Sequence, residues 1–147
     1  MADWPLTSEL GPLGALPTAP SLARGFISVT LADWGLASLT DVAELLVSEL
    51  ATNVVQASMN PDGSARYDEA GKLALLWVRL MSDGSRLVIE VWDTISAVLG
   101  APVARHPEPY EESGRGLEII ETLAEDWGWE TVPGWVGKKV WALLKVV

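Results

Sequence analysis

The sequence predicts an α+β fold, a two-layer sandwich in which a mixed, mostly antiparallel sheet packs against about three helices. Three observations lead there. Two stretches before residue 60 space their apolar residues as helices do. Two later stretches alternate apolar and polar residues on either side of turn signals, as paired strands do. A third helical stretch lies between those strand pairs, an order that argues against a purely parallel, doubly wound sheet.

The bulk properties fit one domain. The chain has 147 residues, of which 49% are hydrophobic, enough to fill a single core. Its net charge of −10 argues against a general nucleic-acid or anionic-membrane binder, since phosphate affinity needs clustered Lys and Arg. A small phosphorylated ligand needs only a local site and stays open. The absence of cysteine excludes disulfides, thiolate metal sites and cysteine nucleophiles. The opening Met-Ala-Asp-Trp-Pro lacks the basic start and apolar core of a signal peptide. No run approaches the ~18 apolar residues of a membrane span. The expectation is a cytoplasmic protein without a nucleic-acid or membrane partner.

Taken in order, residues 1–18 read as an N-terminal tail or edge strand and 19–147 as the domain. Pro5, Pro12, Pro17 and Pro20 forbid a long helix at the start, leaving a short edge strand around Trp4–Leu6. The first helix is predicted from Ser21, its cap, to about Trp34, with Leu22, Phe26, Val29 and Thr30 as its apolar set and Gly35 past its end. The second runs from near Asp41 to about Ser58, and Asn60-Pro61-Asp62-Gly63 stops it. Leu73–Met81 and Arg86–Asp93 read as antiparallel strands joined at Ser82-Asp83-Gly84-Ser85. Thr94–Ser113 has no period and holds three prolines, and a loop of that length in a compact domain tends to be functional or mobile. Gly114-Arg115-Gly116 opens a third helix with Leu117, Ile119, Ile120 and Leu123 as its apolar set. Trp127–Val132 and Lys139–Val146 form the last strand pair.

Three constellations can carry chemistry. In the second helix, Val42, Leu45, Leu46, Glu49, Asn53 and Ala57 share one stripe, with Glu49 and Asn53 near its middle. A carboxylate there is costly unless paired, so the two groups either satisfy each other or the backbone, or face a cavity that holds a ligand. An Asn oxygen suits Mg²⁺, and a neighbouring Glu can deprotonate a hydroxyl or water. Gly114 and Gly116 at a helix start let the backbone approach phosphate, and Arg115 can add a charge; an ordinary Gly-rich helix start has the same look. Asp93 ends a strand on the apolar face of Leu87, Ile89 and Val91, so it either accepts from an amino group such as that of adenine or caps the turn that follows. His106, the sole histidine, offers little to a triad or metal cluster. Lys138 and Lys139 read as solvent-facing, with one able to reach a phosphate.

In combination, Glu49-Leu-x-x-Asn53, Asp93, Gly114-x-Gly116 and Gly137-Lys138-Lys139-Val140-Trp141 resemble the GHKL ATPases of histidine kinases, gyrase and Hsp90. Ala23-Arg24-Gly25-Phe26, Asp33-Trp34-Gly35-Leu36, Val47-Ser48-Glu49-Leu50 and Gly114-Arg115-Gly116-Leu117 are most similar to actinobacterial regulators of the anti-sigma-factor serine/threonine kinase type. The resemblance implies a Bergerat-type sandwich that binds ATP and Mg²⁺ under a long lid, Thr94–Ser113. By position it implies Glu49 as catalytic base, Asn53 as Mg²⁺ ligand and Asp93 as acceptor for the adenine amino group. Gly114, Arg115, Gly116 and Leu117 would meet the phosphates, and Gly137 would close the adenine pocket. The implied activity is phosphoryl transfer to a Ser or Thr of a partner antagonist, with a sigma factor as a second partner and a homodimer as a compatible state. Three positions depart from the family: Ile95 stands where it usually has Gly, and Gln56 and Ala57 where many members have a basic residue and His. They favour the alternative, a catalytically degenerate protein-binding regulator with weak or no nucleotide binding.

Overall fold

The computed structural model describes residues 4–64, 66, 67, 71–95 and 115–146, and of 115–117 the backbone alone. Five strands and three α-helices make up the described fold: β1 (Leu6–Gly14), α1 (Ala19–Asp33), α2 (Thr40–Ala57), β2 (Leu75–Ser82), β3 (Arg86–Asp93), α3 (Arg115–Leu123), β4 (Asp126–Thr131) and β5 (Lys138–Lys145). A 3-10 turn, Ala37–Leu39, links α1 to α2. The strands form one sheet in the order β1-β2-β3-β5-β4, antiparallel at every interface. This is the α+β sandwich expected from the sequence.

The β2–β3 hairpin folds for reasons already local to the chain. Asp83 Oδ1 accepts from the backbone N–H groups of Ser85 and Arg86, each at 2.9 Å, and Gly84 supplies the positive φ of 90° that the turn requires. Period-two alternation then sends Leu76, Val78 and Leu80 of β2 and Leu87, Ile89, Val91 and Asp93 of β3 to one face, all of them fully buried. Val140, Ala142 and Leu144 extend that face on β5. It packs against α1 and α2 through Ile27, Leu31, Leu46, Val47 and Leu50. Each large aliphatic side chain so buried contributes roughly 1.5–3 kcal/mol.

Three sequence expectations need correction. The N-terminal strand is not confined to Trp4–Leu6. It runs nine residues to Gly14 along β2, with a shift in register between Leu10 and Leu13 that accommodates Pro12. An edge strand tolerates proline at such an irregularity because one side of its backbone needs no partner. In α1 the buried residues are Ala19, Ala23, Ile27, Thr30 and Leu31, while Leu22 and Val29 are exposed. The buried face thus takes in small alanines beside Ile27 and Leu31, while two of the larger apolar side chains stay outside. The helix also starts at Ala19, with Thr18 as its cap residue and Pro20 in the first turn, where a missing N–H is harmless.

The third correction concerns α2. Its core face is Ala43, Leu46, Val47, Leu50, Ala51, Val54 and Val55. The stripe expected through Leu45, Glu49 and Asn53 is its shoulder: Leu45 is exposed, and Val42, Glu49 and Asn53 are half-buried. Glu49 and Asn53 therefore border the core instead of interrupting it.

Candidate functional site

Glu49 and Asn53 lie one turn apart on the shoulder of a rigid 18-residue helix, as their i, i+4 spacing dictates. Leu45, one turn earlier on the same line, forms an open groove with Glu118, Ile119, Thr122 and Leu123 of α3. The shoulder thus faces the side of α2 on which α3 packs. On its other side α2 is tied to α1, where Arg24 Nη1 donates to Ser48 Oγ at 2.8 Å. That bond fixes the helix immediately before Glu49.

The electrostatics of the two residues differ. Burial lifts the Glu49 carboxyl above the ordinary glutamate value, since partial removal from water penalises the charged form. Asn53 Nδ2 is buried and has no hydrogen-bond partner, the one such side-chain atom among the described residues. A buried amide without a partner costs ~1–3 kcal/mol, and native proteins avoid such atoms unless something else satisfies them. Of the alternatives open from the sequence, a pair in which the Asn53 NH₂ is satisfied by Glu49 or by the backbone is not what the fold shows. This orphaned amide is where the residues present fit a polar ligand. Asn53 offers the hard oxygen donor that Mg²⁺ takes alongside phosphate oxygens. Among the described residues no cluster of three or more His, Cys, Asp or Glu could hold a metal alone.

The other end of the candidate site is the junction of β3 with β5. Asp93, the last residue of β3, is fully buried, and both carboxylate oxygens and its carbonyl accept hydrogen bonds. Oδ1 accepts from the Ile95 backbone N–H at 2.9 Å, the turn-capping role expected of a strand-terminal Asp. Oδ2 accepts from Lys138 Nζ at 2.8 Å, and the Lys138 backbone N–H also bonds the carboxylate. The Asp93 carbonyl accepts from Trp135 Nε1 at 2.7 Å. Burial pushes the Asp93 carboxyl up; the Lys138 ammonium and the backbone N–H groups oppose it. Thr94 closes the far side, its Oγ1 accepting from the Leu75 N–H at 3.0 Å.

Gly137 sits against this junction. A Cβ there would collide with the Asp93 carbonyl oxygen and lie 2.7 Å from the carbonyl carbon and 2.8 Å from Oδ1. Its φ is not positive, so glycine is required by close approach and not by backbone conformation. The resemblance implies that Gly137 closes a pocket over Asp93; the fold brings the two residues into close approach.

The expectation of a solvent-facing Lys138 does not hold: it is 3% exposed. The signal was present in the alternation Lys138, Val140, Ala142, Leu144, which puts the lysine on the core face. Lys139 points the other way, bridging Glu90 and Glu130 at 3.4 and 3.0 Å. Trp135 carries no sequence signal of its role. It lies between Trp77 and Trp92 on the sheet's outer face, edge-to-face at 5.2 and 5.7 Å, and sends its N–H to Asp93.

The remaining expected site residues are only partly described. Gly114, His106 and nearly all of the Thr94–Ser113 loop lie outside the described residues. Arg115, Gly116 and Leu117 form the first turn of α3, a helix N-terminus, with their side chains outside the description. Ile95 is 7% exposed and belongs to the core, Gln56 is exposed and Ala57 half-buried. No described helix is long and apolar enough to cross a membrane.

Comparison with known proteins adds one positive finding. The model of the histidine kinase-like ATPase domain matches residues 13–143, nearly the whole chain. No curated protein matches it.

Proposed function

We propose a nucleotide-dependent regulatory role, on the premise that this chain belongs to the histidine kinase-like ATPase family, whose domains bind ATP, usually with Mg²⁺. The finer reading is an ATP- and Mg²⁺-binding protein of the anti-sigma-factor serine/threonine kinase type. It would phosphorylate a Ser or Thr on a partner antagonist and control transcription by binding that partner or a sigma factor. The observation that carries it is the Asn53 amide, buried without a partner one turn from a carboxyl of raised pKa.

The residues divide the work by their chemistry. Asn53 would offer its amide oxygen to Mg²⁺ and its unpartnered NH₂ to a phosphate oxygen. Glu49 would accept the proton of the attacking hydroxyl, for which a carboxyl moved toward neutral pH is better matched than an ordinary one. The first turn of α3 would turn its free N–H groups to phosphate. ATP supplies the phosphoryl group that ends on the partner's oxygen.

Calorimetric titration with ATP and Mg²⁺ tests the reading, followed by phosphate transfer to a Ser/Thr acceptor with wild type and Glu49→Ala. Saturable Mg²⁺-dependent binding is the expected result. No heat at millimolar nucleotide would remove both kinase and nucleotide from the account.

A second reading has its own observation. Asp93, which would read the adenine amino group, is buried and engaged by Lys138 and Ile95. That favours a family member which keeps the fold as a protein-binding surface and binds nucleotide weakly or not at all. Transfer-dead protein that still binds its partner would select this reading.

A further inference from the structure

The Asp93–Lys138 pair is unusual for a place where a ligand's base is expected. The two groups form a salt bridge, both are buried, with side-chain exposures of 0% and 4%, and they sit at the end of a strand rather than in the middle of the core. A buried ion pair is weak evidence for stability, because desolvating two charges offsets most of their attraction. The fold did not need an ammonium here to close the sheet: Val140, Ala142 and Leu144 on the same face of β5 close it with apolar side chains.

The geometry assigns Lys138 a different task. Resting on the nucleotide-binding reading above, we infer that the Lys138 ammonium is an internal plug of the base site. It occupies on Asp93 the position that a purine 6-amino group would take, and the base enters only by displacing it.

Three observations support this. Both Asp93 oxygens already have protein donors, Oδ1 the Ile95 N–H and Oδ2 the Lys138 Nζ at 2.8 Å, with the Lys138 backbone N–H also on the carboxylate, and of these donors only the Lys138 ammonium sits on a flexible stem. A charged donor outcompetes a neutral amino group for a carboxylate, since charge-assisted hydrogen bonds are roughly twice as strong. The free protein therefore keeps the plug in place. Gly137, pressed against the Asp93 backbone, leaves no slack on the β5 side for the carboxylate to turn away. The part that can move is the lysine stem, four methylenes bearing a group that hydrates strongly and can swing toward water.

The plug makes base binding conditional. The Asn53 and Glu49 end is ready for a metal and phosphates, while the base end has to be exchanged from an internal ligand to an external one. Affinity for a nucleoside without phosphates should then be disproportionately poor.

Lysine labelling and calorimetry test this on the full chain. Reductive methylation of wild-type protein, read by peptide mass spectrometry, should modify Lys138 at least ~10-fold more slowly than exposed Lys145, and saturating ATP with Mg²⁺ should remove most of that protection. Lys138 still protected at saturating ATP overturns the plug. In parallel, Lys138→Ala should bind adenosine about 10-fold more tightly than wild type, because no cation has to leave Asp93. Equal or weaker adenosine binding by a folded variant also overturns it. If Lys138→Ala does not fold, the labelling of wild type decides. Wild type that binds ATP without exposing Lys138 defeats the plug and leaves the functional reading standing. Wild type and variant that both ignore ATP defeat the functional reading and the plug together.

Discussion

Replacing Gly137 by alanine would place a methyl group inside the backbone of Asp93. The new Cβ would lie 2.7 Å from the Asp93 carbonyl carbon and 2.8 Å from Oδ1, and closer still to the carbonyl oxygen. Carbon contacts are at their best near 3.5–4.0 Å, so the strands must part by roughly 1 Å. The obstacle is backbone, which cannot rotate aside as a side chain can. Overpacking of this kind costs about 1–3 kcal/mol. Moving Asp93 also stretches the 2.7 Å bond from Trp135 and the 2.8 Å pair with Lys138, adding about 1 kcal/mol or more. Alanine returns about 0.5 kcal/mol by narrowing the unfolded ensemble. The net loss is about 3 kcal/mol, which for a chain of this size lowers Tm by roughly 10 °C. Gly25→Ala is the control. Its Cβ would meet nothing within 4 Å, and its helical site should gain about 0.5–1 kcal/mol. Thermal unfolding by far-UV circular dichroism measures both. A Gly137→Ala melting point within about 2 °C of wild type would show that the approach to Asp93 is not the tight contact described.

Other outcomes follow from the site. Asn53→Ala should leave the free protein as stable or about 1 kcal/mol more stable in urea unfolding, because it removes an orphaned amide and adds a better helix former, while Mg²⁺-dependent ATP binding is lost; a clear loss of stability would mean the amide is satisfied. Glu49→Gln should raise Tm on the order of 1–3 °C near pH 7.5 and the gain should fade toward pH 4. The sign follows from burial raising the carboxyl's pKa: the native state favours the protonated acid, and the cost of ionising it appears as pH rises. A gain that grows on acidification would contradict it. In phosphoryl transfer, wild-type activity should fall on acidification earlier than an ordinary glutamate base would allow, and Glu49→Gln should have none. Trp135→Phe strands the Asp93 carbonyl and should cost about 1–2 kcal/mol by denaturant unfolding, with unchanged stability counting against the indole bond.

How far the sequence could be read depends on the range of the interactions involved. The β2–β3 hairpin and α2 were legible almost to the residue, since turn chemistry at Asp83 and Gly84 and the stop at Asn60–Gly63 act within a few positions. β1 was not, because its pairing with β2 joins Leu6 to Ser82, and no local pattern encodes a partner so distant. The faces of α1 and α2 were misjudged for a related reason. Large apolar side chains alone do not mark the core: which face of each helix is covered depends on how helices and sheet pack, so Ala19, Ala23, Ala43 and Ala51 are buried while Leu22 and Leu45 are exposed.

The candidate site divides along the same line. By itself the sequence determined that Glu49 and Asn53 stand one helical turn apart, that Asp93 ends a buried strand, and that Gly137 precedes the last one. Those facts rest on 3.6-residue and two-residue periods, which are properties of the backbone. Only the tertiary structure decided what each group meets. It moved Glu49 and Asn53 from the middle of a core stripe to its shoulder, and left the Asn53 amide without a partner. It also brought Lys138, 45 residues along the chain, onto the Asp93 carboxylate. Charge pairing in a dry interior depends on which strands become neighbours, and β3 and β5 become neighbours only when the sheet closes with β5 between β3 and β4.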